Sequence, residues 1–434
     1  MLVSDYDYDL PEERIAKFPP KERGSTRLLV LNRKTGEIKD SYYRNLDEFL
    51  NPGDVLILND TRVMQSRLFC ELPDGRKREL VVLEKHGNEP QRAMYRGKLH
   101  ENDQLFVLGQ SFSQSEGVRS AAAREVAREP RGGLSKESSK ERTGSFFRDD
   151  DRLATLVDGS ERRAPKIEKN LATERIYVKR ILGNGIAEVE SDIPLNELAE
   201  KYGEVPLPPY LHRDATEDDK KRYQTVFASN MGSAAAPTAS LNMTEDLLER
   251  LKKKGVIIKY LTLHVGLGTF LPIRTDKIEN HKMHSEWFHI PEDTIREIEC
   301  VKRCEEANVS LRSIRDDGSG RSEEPRNDER DEAFRSKIIG DSRPRVIALG
   351  TTVARTPEYY AKTGKTEGED DIFIYPGFDF QLVDALITNF HAPKSTVLML
   401  ASAFAGWNHL KNAYTHAVSK NYIFLSYGDS MLIC

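Results

Sequence analysis

Three imidazoles and a carboxylate fall in one short reach of the chain. His264 comes first, and His281, His284 and Glu286 follow in the run His281-Lys282-Met283-His284-Ser285-Glu286. Imidazole is the side chain whose charge changes near neutral pH, so this cluster suits general acid and base work. Read as an extended segment, His284 and Glu286 share a face with Phe288 and Ile290, an arrangement in which the carboxylate would orient the ring and raise its basicity. A metal held with His264 or His391, as in a metal-dependent hydrolase or lyase, is the rival reading. His-x-x-His with a carboxylate two residues on is not a standard zinc spacing, so no metal is expected.

Such groups need rigid supports that still leave them exposed, and the sequence places polar residues at the ends of apolar runs. The run 256–263 leads straight into His264-Val265-Gly266-Leu267-Gly268-Thr269-Phe270. The run 55–58 ends in Asn59-Asp60-Thr61-Arg62, where the Arg62 guanidinium suits an anion. A strand at 346–349 opens into Gly350-Thr351-Thr352 and a helix, and 383–387 closes on Thr388-Asn389-Phe390-His391. Thr244 reads as the cap of a helix with Glu245 and Asp246 in its first turn and Lys252, Lys253 and Lys254 in its last, stopping at Gly255. Further helices are expected at 216–227, 291–308, 395–405 and 407–420, with strands at 28–31, 372–375 and near Ile423. Cys300 and Cys304 fall one turn apart on the 291–308 helix, as packing residues.

Between residues 68 and 190 the pattern changes to short β-type runs at 80–83, 105–108, 176–178 and 186–189, which suggests a small barrel or sheet inserted into the main domain. Two stretches, 110–169 and 313–342, are rich in Ser, Arg, Glu and Gly and lack the apolar residues to offset their ordering entropy, so both are read as disordered. The expected division is a discontinuous α/β domain of 1–68 and 200–434 around an inserted domain of 69–199.

The 434 residues carry a formal net charge of -5, with 38% hydrophobic and 31% charged residues. Overall charge therefore cannot attract nucleic acid, and any RNA contact needs a local basic face. The four cysteines show no Cys-x-x-Cys pairing, which fits a reducing compartment. The first residues have no basic or apolar leader pattern and no run is long enough to span a membrane, so a cytoplasmic protein is expected. Familiar nucleotide motifs fail: Tyr359 stands where a P-loop before Gly364-Lys365 needs glycine, Gly266-Leu267-Gly268 lacks its third glycine, and no Gly-x-Ser-x-Gly elbow occurs.

Taken together, several segments resemble the S-adenosylmethionine:tRNA ribosyltransferase-isomerase family of queuosine biosynthesis. They are Asp9-Leu10-Pro11-Glu12, Asn51-Pro52-Gly53-Asp54 through Asn59-Asp60-Thr61-Arg62-Val63, Pro206-Leu207-Pro208-Pro209-Tyr210 and Ala234-Ala235-Ala236-Pro237-Thr238-Ala239. The 264–270 and 281–286 runs follow, then Gly350-Thr351-Thr352 with Arg355, Ile374-Tyr375-Pro376-Gly377-Phe378, Thr388-Asn389-Phe390-His391 and Ser426-Tyr427-Gly428-Asp429. Two places depart from the pattern: Ser240-Leu241-Asn242-Met243 stands where the family reads Gly-Leu-His-Phe, and Gln65-Ser66-Arg67 where it reads Pro-Ala-Arg. Asn242 cannot exchange a proton near neutrality, which makes a non-catalytic tRNA-binding relative a further alternative.

The resemblance implies a large α/β barrel-like domain interrupted by a small β-barrel, acting as a monomer. It also implies transfer and isomerisation of the ribosyl group of S-adenosylmethionine, the co-substrate, onto 7-aminomethyl-7-deazaguanine at the wobble position in a tRNA anticodon loop. Catalytic roles would fall to His264, His281, His284, Glu286 and His391. Thr351, Thr352 and Arg355 would hold the methionine carboxylate, Phe270 and Tyr375 would face adenine or the sulfonium, and Asp429 would also contact substrate. Arg62, Arg67, Arg76, Lys77 and Arg78 would steer phosphate.

Overall fold

The alternation of apolar side chains in 28–31, 55–58 and 346–349 shows why these segments form central strands. Leu29, Leu31, Val55, Ile57, Val346 and Ala348 belong to one buried cluster, while Leu28, Val30, Leu56, Leu58, Ile347 and Leu349 belong to another on the opposite face. Strands apolar on both sides need cover on both faces, the pattern of parallel sheets in α/β proteins.

In the computed structural model, which describes residues 1–83, 90–109, 171–183, 185–266, 273–316 and 343–434, the chain begins with β1 (Arg27–Leu31), β2 (Ile38–Tyr42), β3 (Val55–Asn59) and β4 (Thr61–Val63). Six strands follow: β5 (Arg67–Glu71), β6 (Lys77–Val82), β7 (Arg92–Arg96), β8 (Gln104–Leu108), β9 (Leu171–Gly183) and β10 (Ile186–Ser191). Helices α1 (Leu195–Tyr202) and α2 (Glu217–Arg222), strand β11 (Asn230–Ser233), helix α3 (Glu245–Lys254), strands β12 (Ile257–Leu263) and β13 (Glu286–His289) and helix α4 (Glu292–Asp316) come next. The chain closes with β14 (Val346–Leu349), α5 (Thr351–Thr363), β15 (Glu367–Asp370), β16 (Ala385–Asn389), α6 (Thr396–Ala405), α7 (Trp407–Ser419) and β17 (Ser430–Ile433).

Nine strands build the main sheet in the order β15-β13-β12-β3-β14-β16-β17-β1-β2. The β12-β3-β14-β16 centre is parallel, so the ends of these strands, and the turns beyond them, come out on one side. Helix α3 covers one face through Leu247, Leu248 and Leu251, and α4 to α7 cover the other. Thr244 Oγ1 accepts from the Leu247 N–H at 3.1 Å and Gly255 ends α3 at φ 93°, as the sequence signals anticipate.

The inserted element is a closed barrel, β10-β7-β6-β5-β8-β9, with its own core of Leu68, Leu80, Leu105, Ile176 and Val178 and with α1 packed against it. Its root is tight: a Cβ on Gly203 would lie 1.7 Å from the Gln65 carbonyl oxygen, so only glycine passes there. Gln65 and Ser66, the second departure from the family pattern, belong to this root.

Several boundaries differ from expectation. Residues 372–375 are not a strand; the strand is β15, one step earlier, because pairing with β13 and not apolar content selects it. The helix expected at 216–227 is only α2, closed by the turn at Tyr223. The final strand is β17 rather than the Ile423 region, where a single bridge joins Phe424 to Ile15. Helix α4 runs on to Asp316. The stretch 110–169, most of 313–342, and Phe270 lie outside the described residues.

Candidate functional site

Two adjoining cavities open where β14 and β16 end. The larger, about 120 Å³, is walled by Ala236, Pro237, Thr238, Val265, Asn389 and His391 among others, and the smaller, about 20 Å³, by Met283, Arg355, Ile372, Phe373 and Thr396 among others. Thr351, Thr352 and Val397 line both. Gly350, at φ 109°, turns the chain off β14 into α5, so the first backbone N–H groups of a helix of 13 residues stand between the cavities. That end carries a partial positive charge suited to a carboxylate or another anion.

His391 follows β16 directly. Its Nε2 lies 2.9 Å from Thr388 Oγ1, its N–H donates to the Tyr414 hydroxyl at 2.9 Å, and its carbonyl accepts from the Tyr8 hydroxyl. Burial drives its pKa down to about 3, so the ring is neutral at physiological pH. It can accept or donate a hydrogen bond there but brings no positive charge.

His281 and His284 precede β13. The His281 ring meets the edge of Phe373, a wall residue of the smaller cavity, at 5.1 Å between centroids. Burial lowers the pKa of both histidines; the neighbouring His284 adds to the effect on His281, and for His284 the Glu286 charge opposes it while Arg355 reinforces it. Both rings are therefore neutral proton acceptors near pH 7, and each Nε2 is buried without a hydrogen bond among the described residues.

Both oxygens of the Glu286 carboxylate are engaged from outside the His281–Glu286 run. Its Oε1 accepts from the Gly266 N–H at 2.8 Å and its Oε2 from Arg355 Nη2 at 2.6 Å, because the guanidinium reaching in from α5 is the stronger partner for a buried carboxylate. Arg355 Nε also donates to Asp370 Oδ2 at 3.1 Å. The guanidinium expected to hold a substrate carboxylate is thus already met by two protein carboxylates, although the side chain still walls the smaller cavity.

Other expected residues are held away from these cavities. His264 is buried, with Nδ1 2.8 Å from Thr61 Oγ1 and its ring stacked on Trp287, and it is the next residue, Val265, that lines the larger cavity. Asp429 accepts from the Arg27 and Ile423 N–H groups at 2.7 and 2.8 Å, a structural tie at the start of β1. Tyr375 packs on Phe373, and Arg62 is exposed on β4. Among the other basic candidates Arg67 pairs with Glu79 and Arg76 with Asp74. Asn242 is 3% exposed and donates to the Gly428 carbonyl and Ser430 Oγ at 3.1 and 3.2 Å, outside either cavity wall. Among the described residues no three His, Cys, Asp or Glu side chains converge as a metal site.

Sequence reasoning passed over Thr238, Asn389, Tyr210 and Ser426 as site residues. All four wall the larger cavity, with Thr238 Oγ1 donating to Asn389 Oδ1 at 3.0 Å and Tyr210 bonded to Ser426. Their position in motif segments and at a strand tip was the available signal.

A cavity pair beyond the ends of parallel strands, with a helix N-terminus between its halves, marks an α/β protein with a ligand site at a strand-end crevice. The family model described as "Queuosine biosynthesis protein" matches residues 3–311 and 334–433. The S-adenosylmethionine:tRNA ribosyltransferase-isomerases of Pelodictyon phaeoclathratiforme and Chlorobium phaeobacteroides are 41% and 42% identical to this chain over 442 residues, covering 100% of both sequences in each case. A crystal structure of the S-adenosylmethionine tRNA ribosyltransferase from Thermotoga maritima is 25% identical, covers 99% of this chain and 100% of its own, and gives a TM-score of 0.44. The chain belongs to the queuosine biosynthesis protein family.

Proposed function

We propose that this protein is an S-adenosylmethionine:tRNA ribosyltransferase-isomerase. It moves and rearranges the ribosyl group of S-adenosylmethionine onto the aminomethyl group of a 7-deazaguanine at the tRNA wobble position, giving epoxyqueuosine-tRNA and releasing adenine and methionine. The observation that carries this reading, beside family membership, is the cavity pair joined at Thr351 and Thr352. A donor with a flat base at one end and an amino-acid carboxylate at the other suits a larger, mostly apolar compartment next to a helix N-terminus.

The sulfonium acidifies the adjacent ribose carbon, so a neutral imidazole can begin the reaction by taking that proton. Positioned transfer of this kind contributes roughly 10²- to 10⁴-fold. His284, beside the Met283 wall, is our first choice of base, with His281 relaying the proton. His391, neutral and fixed in the larger cavity, holds departing adenine by a hydrogen bond. The anticodon loop presents its splayed base to this opening, with the exposed Arg62 among the groups steering phosphate. The division into a catalytic domain of 1–68 and 200–434 and an inserted domain of 69–199, a monomeric state and a cytoplasmic location belong to the same proposal.

Incubation with adenine-labelled S-adenosylmethionine and tRNA bearing the deazaguanine tests it. Released adenine together with a tRNA-borne product is expected; binding of tRNA with no adenine release would sink the enzymatic reading.

A further inference from the structure

Glu286 and Asp370 are register partners on the antiparallel pair β13 and β15, so two carboxylates project from directly opposed positions. They are 3% and 0% exposed. Like charges placed so are unfavourable, and in a dry interior severely so. Arg355 resolves the conflict by bonding one oxygen of each, and the two remaining oxygens are used as well: Glu286 Oε1 takes the Gly266 N–H, and Asp370 Oδ1 takes the Ile372 N–H at 3.0 Å. Gly266 lies just past β12, after His264 and Val265, Ile372 walls the smaller cavity, and Arg355 is one turn along α5 from Thr351 and Thr352.

We propose that Glu286, Arg355 and Asp370 are positioning residues, a buried charged clamp that fixes the Gly266 backbone beyond β12, the Ile372 wall and the first turn of α5 relative to one another. Glu286 then transfers no proton itself. It acts on His284, two residues before it in the chain, through its negative charge, with Arg355 opposing it and His281 in turn influenced by His284. The turnover arm of the test rests on the function proposed above; the stability arm does not.

The full chain is compared with its Glu286→Gln, Glu286→Ala, Arg355→Lys and Arg355→Met variants. Glu286→Gln keeps an acceptor for the Gly266 N–H, so it should lose roughly tenfold or less in kcat, well short of the 10²- to 10⁴-fold expected for a lost proton-transfer group, while Glu286→Ala loses more. The acid limb of kcat/KM should move to lower pH in Glu286→Gln, because the charge favouring His284 protonation is gone. A folded Glu286→Gln as inactive as Glu286→Ala would overturn the clamp.

Arg355→Met leaves two opposed carboxylates, whose folded pKa must rise above the unfolded value. Its stability is then fully present below the ordinary carboxylate range and lost as pH rises, whereas Arg355→Lys stays closer to the parent. Denaturation midpoints whose pH dependence is the same in Arg355→Met and the parent would also overturn it. Should the parent release no adenine, the proposed function fails while these midpoints still decide the clamp.

Discussion

Thr388 Oγ1 lies 2.9 Å from His391 Nε2, so a hydroxyl at the end of one strand sets the ring that stands in the cavity just beyond it. This geometry and the burial of the imidazole have a consequence for stability. Protonation of His391 is resisted in the folded chain, with a pKa of about 3, and not in the unfolded one, near 6.5. Stability associated with the neutral ring is therefore complete above about pH 6.5 and falls as pH drops toward 3. His391→Gln should flatten that decline, read from urea midpoints across the range, and should lower kcat more than it changes the KM for S-adenosylmethionine.

Asp219 gives a dependence at lower pH. Burial works against its ionisation, but bonds from Arg213, Thr216 and Tyr427 prevail and hold its pKa at about 2, against 3.8 for a free aspartate. Its contribution, on the order of 2 kcal/mol, is present above pH 3.8 and lost as pH falls toward 2. Asp219→Asn should remove that acid sensitivity and also weaken the capping of α2 by Thr216. Thermal melts between pH 2 and 6 would show both effects.

Arg62 is exposed in the middle of β4, opposite Met231 of the Asn230–Ser233 strand. If it meets a tRNA phosphate, Arg62→Glu should lower the slope of log affinity against log salt by about 1 or more, with little change in the melting temperature. Titrations of unmodified tRNA at several salt concentrations provide the check.

Asn242→His would restore the residue of the family pattern but in a full pocket. The side chain is 3% exposed and bonded to Gly428 and Ser430. Overpacking here should cost about 1 to 3 kcal/mol without raising kcat. A gain in turnover at unchanged stability would return this position to the chemistry.

The central strands were legible because runs such as 55–58 and 346–349 are apolar throughout, and the α3 helix because Thr244 and Gly255 mark its ends. The Thr388-Asn389-Phe390-His391 tip was legible for the same local reasons. What the chain did not disclose depends on residues far apart in sequence. Arg355 and Glu286 are 69 positions apart, and nothing near either one signals the pairing. Glu367–Asp370 was hidden as a strand because its charged, glycine-containing composition conceals a sheet edge. The cavity role of Thr238 emerged only when its hydroxyl met Asn389, 151 residues later.

The backbone of Arg67 bonds that of Glu204 in both directions, at 3.1 and 2.8 Å, where the barrel begins and ends. Two residues paired in this way have Cα atoms only about 5.5 Å apart, so the chain leaves the sheet for the barrel and returns from it through one narrow doorway. Evolution could exchange, enlarge or trim that appendage without re-threading the sheet beneath it, and an engineer could excise it and rejoin the cut ends with a short glycine bridge.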